Sequence, residues 1–146
     1  MLIKVQNETV VNARYSVNDL KRDNPNVSFP ENIPESVLNS YDVYTAVQTE
    51  RAALNSRNEK RTFTFEKRDN VWTKVWQTVL VDSDVAAKNN REYRNTLLSE
   101  TDWWASSDLT MSDERRLYRQ QLRDITTHAN WPYLNDDDWP TKPSGS

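Results

Sequence analysis

Along this chain the apolar positions first alternate in short runs and later recur at helical spacing. In Leu2-Ile3-Lys4-Val5-Gln6-Asn7-Glu8-Thr9-Val10-Val11-Asn12-Ala13, β-branched residues flank a polar pair, which predicts a short hairpin turning at Asn7-Glu8. Ser16-Val17-Asn18-Asp19 has the Ser-x-x-acid form of a capping box, with Asp in place of Glu or Gln. A short helix therefore opens there, runs through Leu20 and is stopped by Pro25. Arg22 to Pro30 reads as an irregular, proline-pinned link. A second brief helix has Pro34 in its first turn and runs through Val37 and Leu38 to about Tyr41.

Val43-Tyr44-Thr45-Ala46-Val47 predicts a strand, and the charged, Asn-rich stretch from Thr49 to Lys60 predicts a loop. A two-residue turn at Asp69-Asn70 sets Phe63 opposite Trp76, Phe65 opposite Lys74 and Lys67 opposite Trp72, all on one face. The other face offers Thr62, Thr64 and Glu66 against Thr73, Val75 and Gln77, with Val79 and Val81 farther along. It is only half apolar, so one face is expected to pack and the other to be wet.

Asp82-Ser83-Asp84 suits a helix start, and Ala86, Tyr93 and Leu97 follow at helical spacing, which predicts a helix from about Asp84 to Ser99. After Trp103-Trp104 and a break at Ser106-Ser107-Asp108, Ser112-Asp113-Glu114 opens another helix. Its Tyr118, Leu122, Ile125 and Ala129 fall at i, i+4, i+7 and i+11. Asn130-Trp131-Pro132 ends it, and an irregular tail follows. Strands first and helices last predict an α+β fold: N-terminal antiparallel strands and hairpins with short helices, then a C-terminal antiparallel helical hairpin. The expected division is a β-rich domain over 1–81 and a helical-hairpin domain with extended tail over 82–146.

Composition narrows the function. A mean hydropathy of -0.94 leans toward disorder, but six Trp, six Tyr and three Phe among 146 residues supply apolar area, so a thin core is expected. The formal charge of -3, with Lys and Arg spread along the length, leaves no basic stripe for a phosphate backbone, and no nucleic acid partner is expected. No window approaches the roughly 18 apolar residues of a membrane span, and Met1-Leu2-Ile3-Lys4-Val5 lacks the layout of a signal peptide, so no membrane partner is expected. Absent Cys removes disulfides and thiolate metal sites, which fits a reducing cytoplasm. The single glycine, Gly145, allows neither a phosphate-cradling loop nor a nucleophile elbow, and Asn and Asp must make the turns.

Candidate chemistry is sparse. Asp136-Asp137-Asp138 can in principle hold a hard cation or act as acid and base, but three adjacent residues do not face one point, so they are expected as solvated turn acids. His128, the sole histidine, has no Cys and no elbow Ser to serve, and is expected at a helix end, favourable to the dipole. No catalytic residue, metal site or cofactor is expected. Trp72 and Trp76 read as sheet core, whereas Trp103, Trp104, Trp131 and Trp139 crowd a hairpin too small to bury them all. Aromatics in excess of core demand mark interfaces; alternatively the tail wraps back and Trp131 and Trp139 cover the hairpin. Tryptophans also stack on sugars, which keeps a carbohydrate-binding module open as a competitor. Such modules display their aromatics on a rigid sheet face or groove, and here most lie around helices and tail. Arg119 and Arg123, one turn apart, form either a basic ridge for an acidic partner or a solvated face.

Three short motifs occur in one order: Leu97-Leu98-x-x-Thr101-Asp102-Trp103, Tyr118-Arg119-Gln120-x-Leu122-Arg123-Asp124-Ile125, and Trp139-Pro140-x-x-Pro143. This series resembles the C-terminal domain of the bacteriophage tail assembly chaperone family, and the N-terminal segment is more weakly similar to that of some phage proteins of the same type. The likeness covers most of the chain, with departures at Trp104 and at the trailing Ser144-Gly145-Ser146. It implies a non-enzymatic protein that binds phage tail, baseplate or fibre subunits in the host cytoplasm before they polymerise, or one retained in the virion tail as a structural subunit. The candidate partner-binding residues are then Trp103, Trp104, Trp131, Trp139, Arg119 and Arg123.

Overall fold

The computed structural model describes residues 1–106 and 108–144; Ser107, in the expected break, and Gly145 and Ser146, in the expected tail, lie outside them. The fold is α+β, with strand hairpins and short helices first, and paired helices and irregular 3-10 turns last. Among the described residues six strands form two open three-stranded sheets, ordered β2-β1-β3 and β4-β6-β5: β1 (Leu2–Gln6), β2 (Thr9–Tyr15), β3 (Val43–Thr45), β4 (Val47–Gln48), β5 (Glu59–Arg68) and β6 (Val71–Leu80). Among the described residues the α-helices are α1 (Val17–Asp23), α2 (Glu35–Ser40), α3 (Ser83–Glu100) and α4 (Asp113–Arg123).

The chain divides into two compact units, Met1–Ala52 with Arg61–Gln77, and Ala53–Lys60 with Thr78–Ser146. This interleaved division differs from a single cut after residue 81. The 53–60 segment belongs with the helices, because its Asn and Arg side chains are hydrogen-bonded there.

In the first unit the β1–β2 turn forms as the polar pair predicts, with φ of 50° at Asn7 and 59° at Glu8. Ser16 caps α1 reciprocally: its hydroxyl accepts from Asp19 N at 3.1 Å, and its own N–H donates to the Asp19 carboxylate at 2.8 Å. These bonds hold the Asp19 carboxyl below its ordinary range, the side-chain bond from Ser16 being the largest cause. Pro34 sits at the N-cap of α2 in extended conformation, one place before the first turn in which it was expected.

The expected strand over Val43–Val47 breaks at Ala46. β3 pairs antiparallel with β1, β4 pairs parallel with β6, and buried Ala46 donates its N–H to Met1 O at 2.8 Å between them. A small residue suits a chain that changes sheets at a buried point. Two clusters form the core here, Ile3, Val5, Ala46 and Trp72 in one, and Tyr15, Leu20, Leu38 and Val43 in the other. The Tyr15 hydroxyl donates to Asp23 at 2.7 Å, and burial followed by that carboxylate pushes its pKa up to about 12.

Asp69 and Asn70, with φ of 50° and 66°, make the expected two-residue turn between β5 and β6. Phe63 meets Trp76 edge-on at 5.4 Å, as the register requires. Burial departs from the expected packed and wet faces: Trp72, Thr73 and Val75 of β6 are all buried, while Phe63 on β5 is 42% exposed. The cause is position in the sheet, since β4 covers one side of β6 and β5 is left at the edge.

In the second unit α3 and α4 lie within a residue or so of their expected starts. The Ser112 hydroxyl caps α4 by accepting from Arg115 N at 3.2 Å. α4 stops at Arg123 and tightens into a 3-10 turn over Ile125–Thr127, so Ala129, expected on the apolar stripe, is exposed. Between the helices runs a longer connection than the short polar link expected, with a 3-10 turn over Asp102–Ala105. Trp104, Tyr118 and Leu122 form the buried core, with Leu97, Leu98, Met111 and Trp139 against it.

Candidate functional site

Arg119 projects from the middle of α4 onto the end of α3. Its guanidinium donates to the Leu98 carbonyl at 3.0 Å, to the Thr101 hydroxyl at 2.7 Å and to the Asp102 carboxylate at 3.0 Å. A cation with several donors suits the C-terminal carbonyls of a helix, where the dipole is negative. The residue is only 9% exposed, so it is a clamp between helices, which fits neither the outward basic ridge nor the solvated face set out for it and Arg123. Arg123 is exposed, as both readings required.

The four candidate tryptophans separate by burial. Trp104 is fully buried, and a ring with no accessible surface has none to offer a partner. Trp139 is half-buried and packs on the same cluster, edge-on to Tyr93 at 4.7 Å, so at this position the tail wraps back as its alternative reading held. Trp131 is half-buried with the Arg91 guanidinium 5.4 Å from its ring. Trp103 remains 50% exposed, with Arg115 at 5.6 Å.

A second polar knot had no forecast. Asn90 is fully buried on the α3 stripe that contains Ala86, Tyr93 and Leu97; its amide nitrogen donates to Asn58 Oδ1 at 2.8 Å and to the Pro132 carbonyl at 2.7 Å. The Arg57 Nε donates to Asn90 Oδ1 at 3.0 Å while its guanidinium lies 4.1 Å from the Tyr93 ring and pairs with Asp136 at 3.1 Å. Asn58 Nδ2 reaches the Leu134 carbonyl at 2.6 Å. Every buried polar group in this set has a partner, which is what such groups require. The signal in the sequence was one polar residue at i+4 within an apolar helical stripe.

The triple Asp run is not uniformly solvated. Asp136 is exposed beside Arg57, but the Asp138 side chain accepts from Asn135 N at 2.8 Å and from the Asn130 amide at 3.1 Å, closing a capping box around a short 3-10 turn. The Asn135 N–H, then the Asn130 amide, hold the Asp138 carboxyl below its ordinary range. His128 lies beyond the 3-10 turn, not at the end of α4; its Nδ1 accepts from Asn130 N at 3.0 Å, and its Nε2 stands 3.8 Å from Asp138. Among the described residues no group of three His, Asp or Glu side chains is placed to hold a metal ion, and no helix is long and apolar enough to cross a membrane.

One surface feature combines apolar and charged groups. Ala105, Met111 and Leu117 give the apolar part of an open groove of about 440 Å³, and Arg116, Gln120 and Arg123 give much of its polar part. Leu117 is 59% exposed. On the sheet, the exposed Phe63 and the half-buried Trp76 are already engaged by cations: Lys74 Nζ lies 4.1 Å from the Phe63 ring, and Arg51 lies 4.4 Å from the Trp76 ring. A sugar would have to displace both to stack there. No family model matches the chain, and neither a curated protein nor a solved structure matches it.

Proposed function

We propose that this chain is a non-enzymatic bacteriophage tail protein of the tail assembly chaperone kind, which holds a tail, baseplate or fibre subunit through apolar and aromatic contacts. The observation that supports the reading is the convergence of the three motifs behind the resemblance. Leu97, Leu98 and Trp139 pack on the Trp104, Tyr118 and Leu122 cluster, and Thr101, Asp102 and Arg119 close one hydrogen-bonded network. In this reading the matched residues build a scaffold, and Trp103 and the groove beside α4 meet the partner. The protein then acts in the host cytoplasm, before tail polymerisation.

Quantitative mass spectrometry of assembling phage lysate and of purified virions tests it. The protein should fractionate with soluble tail subunits and be missing from mature particles. A fixed ratio to tail proteins in the virion would instead make it a permanent structural subunit. Absence from both would overturn the reading.

A further inference from the structure

We propose that β5 pairs with β5 of a second copy of this chain, antiparallel about a two-fold axis at Phe63, joining two copies edge to edge. This pairing does not depend on the tail-protein reading. The order β4-β6-β5 leaves one side of a ten-residue strand without a neighbour, and an unpaired edge is a template for another strand. Among the described residues the other sheet edges are blunted. β3 and β4 have three and two residues, and β2 shifts register against β1 while its Arg14 N–H is taken by the Asn12 side chain at 2.8 Å.

Backbone direction decides which residues meet. On β6 the Trp76 N–H donates to the Thr49 hydroxyl at 2.9 Å, and the Lys74 carbonyl accepts from Thr49 N at 3.0 Å, so both residues turn their backbone groups away from β5. In an antiparallel ladder the residues opposite them do the same, which turns the N–H and C=O of Phe63 and Phe65, and by alternation those of Arg61 and Lys67, toward the free edge. Two copies bond only where such residues face each other. Two registers achieve this over nine of the ten residues, 60–68 or 59–67. The first is centred on Thr64 and sets Arg61 against Lys67 and Lys60 against Arg68, like against like. The second is centred on Phe63 and sets Glu59 against Lys67, Lys60 against Glu66, Arg61 against the Phe65 ring and Thr62 against Thr64, each pair occurring twice by symmetry.

The strand is therefore complementary to itself in one register. Its own ion pairs leave the edge balanced: Lys67 meets Glu8 and Arg68 meets Glu66, all four side chains are exposed, and such pairs exchange at little cost. Phe63 gains most. It stands 42% exposed at the edge, edge-on to Phe65 at 5.7 Å and to Trp76 at 5.4 Å, and on the axis it meets its own copy and joins two aromatic rows into one. A strand of another sequence would gain the backbone bonds without this match. One strand pair buries less than a standard interface, so the dimer is weak and concentration-dependent.

Sedimentation velocity of the full chain, from micromolar to millimolar concentration, tests the pairing and should show a reversible monomer–dimer equilibrium. Lys60→Glu and Glu66→Lys each create two like-charge pairs and should raise the dissociation constant about tenfold or more. The two together should restore it, because the pairs re-form with signs exchanged. Thr62→Cys with Thr64→Cys should give covalent dimers on mild oxidation, since the chain has no other Cys and two positions along one strand are too far apart to bridge. Melting temperature should be unchanged in the charge variants. A chain that stays monomeric, even one that pairs with an unrelated extended peptide, would overturn the proposal. So would assemblies that grow beyond the dimer, single charge variants that dimerise like the parent, a double charge variant no better than either single one, or failure of the cross-link.

Discussion

The Arg119 guanidinium donates to the Thr101 hydroxyl at 2.7 Å and so ties the middle of α4 to the residue that ends α3. Both residues are buried, and the same guanidinium also satisfies the Leu98 carbonyl. Arg119→Ala removes the donor and leaves two acceptors in a desolvated place, so it should cost about 2 to 3 kcal/mol. Arg119→Lys should restore only part, because an ammonium does not span three acceptors as a planar fork does. Urea unfolding checks this, and equal midpoints for Arg and Ala would show that the clamp contributes nothing.

Asn90 should behave in the same way. Asn90→Ala leaves Asn58 Oδ1 and the Pro132 carbonyl without their donor, and a loss of about 2 kcal/mol is expected. Asn90→Leu, which restores apolar bulk but no donor, should not recover stability. A Leu variant as stable as the parent would mean that those groups find other partners.

The tryptophans should divide in stability measurements as they do in burial. Leu122→Ala and Trp139→Ala should each lower stability by roughly 2 to 4 kcal/mol, since Leu122 belongs to the hairpin core and Trp139 packs against it. Trp103→Ala should stay within about 0.5 kcal/mol. A melting temperature unaffected by Trp139→Ala would detach the tail from the core.

Acid should loosen the tail turn at Asp138. Its folded pKa lies below that of the unfolded chain, so the stabilisation is present above the unfolded value, near about 3.9, and is lost as pH falls through the folded one. Asp138→Asn should therefore flatten the fall in melting temperature below about pH 4. The same steepness in parent and variant would assign the acid sensitivity elsewhere.

The elements legible in the sequence were those fixed by local chemistry. Asn7-Glu8 and Asp69-Asn70 turn because their backbones take positive φ, and Ser16 and Ser112 start helices because their hydroxyls accept orphan N–H groups. What depended on distant partners was not legible. Ala46 gives no sign that its strand changes sheets, and Arg119, which looks like a surface charge on a helical wheel, is buried by its placement against the end of α3. Among the candidate site residues, Trp103 and Arg123 are exposed and Trp131 and Trp139 half-buried, whereas Trp104 and Arg119 are buried.

The central claim is that the second unit binds a tail subunit through an outward surface distinct from its core. Its most direct test is the affinity of purified tail subunits for a Trp103→Ala, Leu117→Ala double variant, measured beside its melting temperature. The account predicts binding weakened by about 2 kcal/mol or more with melting unchanged, as for anchors that act only in the complex. Unchanged binding, or a loss of binding that appears only together with a loss of melting temperature, would contradict it.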